Sequence, residues 1–468
     1  MGRHADRRGR RRPAIDLPSI LPATLVALSL TVAACAPPAD DAAPTPDRPP
    51  VVVDASLGVV RVAPDAPLLV RIVLDEGDPE SLSAVLEAAF RAAVEDFGAV
   101  QQDFRVDLGT ATVTDCSEED GARVGAELAG TAEADGLIAV LGPQCTETLL
   151  GLQGPAGAAG LVVVAPRTTL PTLTEGADGL IGQDRADGTW RTVPSALTDA
   201  RAGAAHAATD LGATRAVVVE DGTIVGAGLA AAFRDRFEEL GGTVVVDRLV
   251  DPSVVAGASA EEGAEARVAA EEALDALLDE AAAATADVAF LPLESDMLRV
   301  LLPAWMERSA LDEIPRLTTT RALGADLRAP ELLAAESSLG LRIAAPVLEV
   351  PDAVSAVTGM SAAQTLERVV ATSGVDDPRG WWAYAYDAAT LLLRAIEDGS
   401  LVDVDGSLVL SRAELRGTVA RTRFEGLTGP LRCTPTGDCA APRIVIHAHE
   451  DPSAVDLGGL PIVATIDG

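Results

Sequence analysis

Short apolar runs alternate with longer amphipathic segments along most of this chain. The runs predict buried parallel strands at 68–74, 136–142, 160–166, 215–221, 242–247 and 286–293. Apolar positions at helical spacing predict helices over Ser81–Val94, Asp120–Glu133, Thr198–Leu211 and Gly228–Leu240. Such alternation is typical of an α/β protein with right-handed crossovers. Of the 468 residues, about 400 are expected to be ordered, which is more than one such sheet needs, so we expect two lobes with parallel sheets.

One segment departs from this pattern in composition. Residues 257–284 are dominated by Ala and Glu. They predict an exposed, acidic helix or helix pair.

The N-terminus has the pattern of an export signal. Residues 3–12 contain six Arg, an apolar stretch runs from Leu17 to Ala34, and Cys35 follows small residues. This order resembles a bacterial lipobox. It predicts a signal peptide over 1–34 and a lipidated Cys35 that holds the protein at the outer face of the cytoplasmic membrane.

The lipid-anchor hypothesis has one alternative, and a tether is predicted to follow the anchor. A membrane-spanning anchor is the alternative, but Pro18 and Pro22 interrupt a stretch that is already short for a span. Residues 35–67 begin with a Pro, Ala and Asp-rich sequence that cannot bury a core, so they predict a tether.

Charge and residue usage narrow the functional classes. The chain has 71 acidic and 36 basic residues and a net charge of −35, which argues against a nucleic-acid partner. It contains no Lys, which excludes a Walker A lysine and a Schiff-base lysine. It also contains no Gly-x-Ser-x-Gly or His-Glu-x-x-His motif. We therefore expect no enzyme activity, no cofactor and no metal.

Four cysteines remain once Cys35 is set aside. Cys116, Cys145, Cys433 and Cys439 form an even set, which in an exported protein indicates two disulfides. Three pairings are possible. The turn between Cys433 and Cys439 favours that pair and Cys116–Cys145, and free thiols are the alternative.

Polar turns follow the predicted strands. Ligands of parallel sheets bind beyond the carboxyl ends of the strands. The turns at 143–148, 167–171, 222–228 and 318–321 lie at such ends, and three of them are rich in Thr. Helix N-termini with hydroxyls suit a carboxylate, although ordinary helix capping by Thr is the alternative.

Several segments together carry a family resemblance. They are VLGPQCTETL (140–149), VVVAPRTTLPTLTE (162–175), the stretches 190–221 and 226–245, YAYDAATLLLRAI (384–396) and FEGLTGPLRCTPTGD (424–438). In this order they resemble the solute-binding proteins of ABC transporters, in the leucine/isoleucine/valine-binding class with the type 1 periplasmic-binding-protein fold.

The resemblance implies an organisation for most of the chain. Two lobes would be joined by crossings near 192–196, 344–350 and 420–427, with a cleft that closes on solute. Lobe one would be 68–192 plus 347–423, and lobe two 193–346 plus 424–468. A Cys116–Cys145 disulfide matches one in this class. The partners implied are a small solute and an ABC permease, and the protein is expected to be a monomer.

The resemblance also assigns ligand residues in lobe one. Thr146 falls where the family has a serine that binds the ligand carboxylate. Thr168 and Thr169 fall on an Ala-Thr pair that binds the head of an amino acid. Lobe one therefore keeps the features that hold a carboxylate.

Lobe two departs from the family pattern. Val225, in the cleft loop with Thr223, replaces a tyrosine, and Thr320 replaces the acid that pairs with the ligand ammonium. Arg321 stands for a glycine, and Arg167 in lobe one for a small residue. We expect these residues to line the cleft, with Asp75 as a possible substitute acid.

These departures leave the solute class open. An ammonium needs a buried acid or an aromatic face, and two arginines favour an anionic solute unless they are exposed or paired with acids. The primary hypothesis is a lipoprotein that captures an amino acid, amide or carboxylate for a permease. The alternative is a regulatory or scaffolding lipoprotein that binds a protein such as a cell-wall synthase.

Overall fold

A computed structural model describes most of the chain after its N-terminal segment. The described residues are 52–76, 82–176, 180–255, 261–324, 327–376, 378, 380–440 and 443–467. The predicted signal peptide and Cys35 lie outside these ranges. Within them, no helix combines the length and the apolar character that a membrane crossing requires.

The strands are mostly short and buried. In chain order they are β1 Val59–Val62, β2 Leu68–Asp75, β3 Ala99–Val100, β4 Phe104–Asp107, β5 Thr112–Thr114, β6 Ala139–Leu141, β7 Val162–Ala165, β8 Thr189–Arg191, β9 Arg215–Glu220, β10 Thr243–Leu249, β11 Val288–Phe290, β12 Arg316–Thr319, β13 Leu341–Pro346, β14 Ser400–Val402, β15 Leu408–Ser411, β16 Arg423–Glu425, β17 Pro430–Arg432, β18 Arg443–Ala448 and β19 Ile462–Asp467.

Helices separate most of these strands. They are α1 Leu82–Phe97, α2 Glu118–Asp135, α3 Thr146–Ala158, α4 Ala196–Ala205, α5 Ile224–Glu239, α6 Glu261–Ala283, α7 Ser295–Met306, α8 Ser309–Asp312, α9 Pro330–Leu333, α10 Ala362–Ser373, α11 Trp381–Gly399 and α12 Arg412–Arg421. Short 3₁₀ turns include Thr320–Leu323 and Leu457–Gly459.

The strands form two large sheets, one in each lobe. The first has the order β3-β4-β2-β6-β7-β8, with β5 also paired to β2. The second has the order β10-β9-β11-β12-β13-β18-β19. Pairing is parallel except where β3, β18 and β19 join. The predicted α/β class with two parallel-sheet lobes is confirmed.

The apolar runs become strands because helices cover the sheets. All four residues of β7 are fully buried. Helix α11 is buried on nearly every side because it packs against α1, α10 and α12. Its apolar sequence therefore belongs to the core of lobe one.

The chain passes between the two sheets in three places. It leaves β8 and enters α4, which packs against β12 and β13 of the second sheet. It leaves β13 and reaches α10, which packs against α1. After α12, the β16–β17 hairpin leads it to β18. These passages place the turns that follow the strands of each sheet at the junction of the lobes.

Two expectations need correction. The predicted tether (35–67) does not extend to residue 67, because Val59–Val62 pairs antiparallel with β15 and buries Val60 and Val62. Within the predicted segment 257–284, the described residues from Glu261 to Ala283 form a single helix, α6, which is not exposed all round. Its buried positions recur every three or four residues and face the core; they are Ala270, Leu274, Leu277, Leu278 and Ala281.

Candidate functional site

Asp75 holds the turn between β6 and α3. Its Oδ1 accepts hydrogen bonds from the hydroxyls of Thr114 (2.6 Å) and Thr148 (2.5 Å). Its Oδ2 accepts from the backbone N–H groups of Gln144 (3.2 Å) and Cys145 (2.8 Å). The carboxylate is buried at the carboxyl end of β2. These contacts favour a structural role for Asp75 over contact with a solute cation.

Thr146 begins α3 directly after this turn. It is partly exposed, and the preceding residue, Cys145, caps the helix without a side-chain hydrogen bond. The first turn of a helix with this geometry directs backbone N–H groups outward, which suits a carboxylate.

The loop after β7 contains three predicted site residues. The Arg167 guanidinium lies over the Trp381 ring at 5.4 Å from its centroid, a cation–π distance. Thr168 is 1 % exposed, and its hydroxyl has no hydrogen-bond partner among the described residues. The carbonyl of Thr169 accepts from the N–H of Ala196, the first residue of α4 (3.0 Å). The loop therefore lies against the first crossing.

A buried arginine, Arg191, forms hydrogen bonds with the backbone of this loop. Arg191, 2 % exposed at the end of β8, donates to both carboxylate oxygens of Asp438 at 2.9 and 2.8 Å. It also donates to the carbonyls of Leu170 (2.7 Å) and Thr168 (3.4 Å). The guanidinium thus connects the loop that carries Thr168 to the segment before β18.

On the lobe-two side, Arg321 is paired with acids. It donates to Asp221 Oδ2 at 2.6 Å and to Glu294 Oε1 at 3.2 Å. It also donates to the hydroxyl of Thr223, the N-cap of α5 (3.1 Å). Burial alone raises the pKa of Asp221, but the bonds from Arg321 and Thr223 bring that pKa below its usual value. Val225 follows in the first turn of α5 and is partly buried.

Thr320, which stands where the family has an acid, contacts a carboxylate from another element. Its hydroxyl donates to Asp199 Oδ2 at 3.2 Å. Asp199 lies on α4, only 2 % exposed. Burial raises the pKa of Asp199 well above its usual value, and the Thr320 bond offsets only part of the effect. A buried carboxylate supported by one neutral hydroxyl needs a proton or a cation.

Tyr384 lies where two crossings meet lobe one. Its hydroxyl donates to the carbonyl of Val347 after β13 (3.0 Å), and its own carbonyl accepts from the hydroxyl of Thr192 (3.0 Å). Burial and the nearby charges of Asp199 and Asp387 raise its pKa. Tyr384 therefore remains a neutral hydrogen-bond donor at the hinge.

Six of the predicted residues lie at the carboxyl ends of strands, three in each lobe. Thr146, Thr168 and Thr169 lie at the carboxyl ends of lobe-one strands, and Thr223, Thr320 and Arg321 at those of lobe two. Asp199 and the Arg191–Asp438 pair were not predicted. Both acids are ordinary surface residue types in the sequence, and only tertiary contacts reveal their burial or pairing.

The structure pairs the four cysteines as favoured. Cys116 is bonded to Cys145 and Cys433 to Cys439. The sulfurs of the first pair lie within 4.8 Å of an Asp75 oxygen, a grouping that resembles a metal site. Disulfide sulfurs are not thiolates, so this grouping is not suited to a metal.

Comparison with known proteins agrees with this architecture. The model of the receptor family ligand binding region matches residues 85–449. Among curated proteins, none matches the chain significantly.

Three solved structures illustrate the similarity. A leucine-binding protein from Thermotoga maritima is 21% identical, with 86% of this chain and 99% of that chain covered and a TM-score of 0.56. An ABC transporter substrate-binding protein from Desulfitobacterium hafniense in complex with Leu is 21% identical (85% and 100% covered, TM-score 0.58). A solute-binding protein from Rhodopseudomonas palustris in complex with 3,4-dihydroxybenzoic acid is 16% identical (86% and 97% covered, TM-score 0.53).

The Thermotoga neighbour is a leucine-binding protein and the other two are binding proteins of ABC transporters; all three share the two-lobed type 1 periplasmic-binding-protein fold with this chain. Because the family model spans most of the sequence, the chain belongs to the family described as the receptor family ligand binding region.

Proposed function

We propose that this protein is an extracytoplasmic solute-binding lipoprotein that captures an amino acid and delivers it to an ABC permease. The observation that carries the proposal is the buried Asp199 carboxylate, held by Thr320 at the junction of the lobes. Solute-binding relatives of the same fold support the functional class.

Asp199 supports an ammonium-bearing solute. A carboxylate ion buried without a counter-charge is unfavourable by several kcal/mol. Its partner, Thr320, brings no charge. A ligand ammonium would supply the missing charge, and the acid would then act from α4 instead of from position 320.

Lobe one supports the other end of an amino acid. The buried Thr168 hydroxyl has an unused hydrogen-bonding capacity among the described residues. The start of α4 is bonded to Thr169 and lies one helical turn from Asp199. A carboxylate near Thr146 and Thr168 would leave the ammonium of the same molecule directed toward α4.

The paired state of Arg321 weakens the case for a purely anionic solute. Its guanidinium already contacts Asp221 and Glu294. Arg167 lies against Trp381. The two arginines were the reason to expect an anionic solute, and Arg321, the one in lobe two, no longer supports that expectation.

Matched ligands test this proposal. The purified chain is titrated with L-leucine, with 4-methylpentanoate, which lacks the amine, and with isoamylamine, which lacks the carboxylate. Leucine at 100 times its Kd should stabilise the protein by about 2.7 kcal/mol in thermal unfolding. Both truncated analogues should bind at least about tenfold more weakly, because each leaves one buried polar group unpaired.

Asp199→Asn should lose most of the leucine affinity and bind 4-methylpentanoate as well as the wild type does. Asp235→Asn, an exposed change on α5, is the control. Preferential binding of 4-methylpentanoate would contradict the amino-acid assignment. If no amino acid, amide or carboxylate binds, a protein partner becomes the better hypothesis.

Membrane attachment is tested separately. Cys35→Ala should release the protein from the membrane fraction or leave an uncleaved precursor. Unchanged lipid labelling of this variant would contradict lipidation at Cys35.

A further inference from the structure

A cavity lies beside the segment that follows β13. Its volume is about 410 Å³, within the range of small-molecule sites. Helices α10 and α11 form one side, and Leu327 and Leu457 of lobe two form the other. The nine predicted ligand residues are absent from its described lining, so it is distinct from the candidate cleft.

The cavity surface is mainly apolar. Leu348, Val350 and Leu366 line it and are partly buried, and Trp382 is 4 % exposed. The N–H of Leu457 donates to the carbonyl of Leu327 at 3.1 Å, which holds the lobe-two side together. The walls are therefore formed by packed elements and backbone hydrogen bonds.

The ionisable groups of the described lining have one sign. They are Glu349, which is exposed, and Asp456, whose Oδ1 accepts from the N–H of Gly459 at 3.2 Å. No Arg stands among the described lining residues. The exposed carboxylate of Glu349 beside an apolar surface repels an anion and attracts a cation, and an indole ring strengthens that preference.

We infer that this cavity is a second binding site, specific for a small apolar amine. The apolar skeleton would lie against the leucines and Trp382, and the ammonium would face Glu349. Both lobes contribute walls, so such a ligand would favour the arrangement that holds these walls together.

The test uses 2-phenylethylamine as the probe on the full chain, by isothermal titration calorimetry. Its controls are 2-phenylethanol, which is neutral, and 3-phenylpropionate, which is anionic. We expect the order amine, alcohol, carboxylate from strongest to weakest binding. Absence of amine binding at millimolar concentration, or equal binding of amine and carboxylate, would overturn the inference.

Variants locate the site. Glu349→Gln should weaken amine binding about threefold, as for an exposed ion pair, and leave alcohol binding unchanged. Leu366→Arg should abolish both, whereas Glu367→Gln, an exposed neighbour on α10 that does not line the cavity, should change neither.

A further variant separates this inference from the proposed function. Asp199→Asn should leave binding of 2-phenylethylamine intact, because Asp199 does not line the cavity. If the amine instead loses affinity in Asp199→Asn and keeps it in Glu349→Gln, the amine occupies the candidate cleft and the second site is refuted.

Discussion

At the scale of single residues, buried carboxylates have very different surroundings. Asp387 on α11 is fully buried and accepts from the N–H groups of Leu427 (2.9 Å) and Thr428 (2.8 Å) and from the Thr428 hydroxyl (2.7 Å). Burial outweighs these three bonds and raises the pKa of Asp387 to about 6. Asp75, with four donors, and Asp199, with one, show how far the environment decides the role of an acid.

The pKa of Asp387 has a consequence for stability. Its carboxyl group binds a proton more tightly in the folded state than in the unfolded state, where the pKa is about 3.9. Its contribution to the free energy of unfolding therefore falls as pH rises from about 4 to 6. Between pH 5 and pH 7.5 the loss amounts to about 1 kcal/mol.

Asp387→Asn should remove this contribution. Urea unfolding of wild type and variant at both pH values should give a stability difference that changes by about 1 kcal/mol, with the variant relatively better at pH 7.5. Asp398→Asn, exposed on the same helix, should keep the wild-type dependence. Parallel pH profiles for wild type and Asp387→Asn would contradict the raised pKa.

At the scale of elements, α2 and α3 approach each other closely through glycines. A Cβ on Gly151 would stand 2.0 Å from the backbone oxygen of Glu118. A Cβ on Gly121 would stand 2.3 Å from that of Thr148. A backbone atom cannot move aside as a flexible side chain can. The two helices can therefore pack this closely only because Gly121 and Gly151 have no side chains. Because α3 carries Thr146 at its first turn, this spacing also positions Thr146, one of the proposed ligand residues.

Gly151→Ala should therefore destabilise the protein by about 1–3 kcal/mol through overpacking. Gly154 on the same helix has no atom within 4 Å of an added Cβ. Gly154→Ala should instead raise stability by up to about 1 kcal/mol, because alanine favours helix. Chemical denaturation measures both; equal effects would refute the close-packing argument.

The segment between Cys433 and Cys439 supplies an ion-pair partner for a buried arginine at the end of β8. Its Asp438 is the counter-charge of Arg191, which is buried to 2 % exposure, whereas the Arg443–Asp467 pair is exposed. Removing one partner of a buried pair leaves an uncompensated charge and costs about 3–5 kcal/mol. An exposed pair contributes at most about 1 kcal/mol.

Asp438→Ala should lower the free energy of unfolding by about 3 kcal/mol, and Asp467→Ala by less than about 1 kcal/mol. Denaturant midpoints of the two variants provide the comparison. A small effect of Asp438→Ala would mean that Arg191 finds water when its partner is lost.

At the scale of the whole molecule, the fold class can be predicted from the sequence, whereas the candidate site can be predicted only in part. Runs such as that around Val162–Ala165 are too apolar for any surface position, so they identify buried strands. The threonines could be proposed as ligand residues because they follow such strands. Asp199 was not, because a lone Asp on a predicted helix has the same appearance whether it faces solvent or Thr320. The buried side of α6 was not predicted, because its three leucines and two alanines stand among many exposed Glu and Ala residues.

The net charge of −35 also belongs to this scale. Self-repulsion at low ionic strength opposes the compact state, and salt screens it over a Debye length of about 10 Å at 0.1 M. Tm should therefore rise when NaCl is increased from about 10 mM to 150 mM at constant pH. Sucrose at matched osmolality is the control, and a Tm that falls with salt would contradict net repulsion.

The pairing of β1 with β15 decides which body is held by the N-terminal segment. Residues 59–62 join a small sheet next to α11 and α12, in lobe one. Any pull transmitted along the preceding chain reaches lobe one first. If the proposed lipid anchor holds the N-terminal segment, lobe one would be the fixed body, and opening of the proposed cleft would move lobe two relative to it. The antiparallel β1–β15 ladder is then the joint through which mechanical tension enters the molecule.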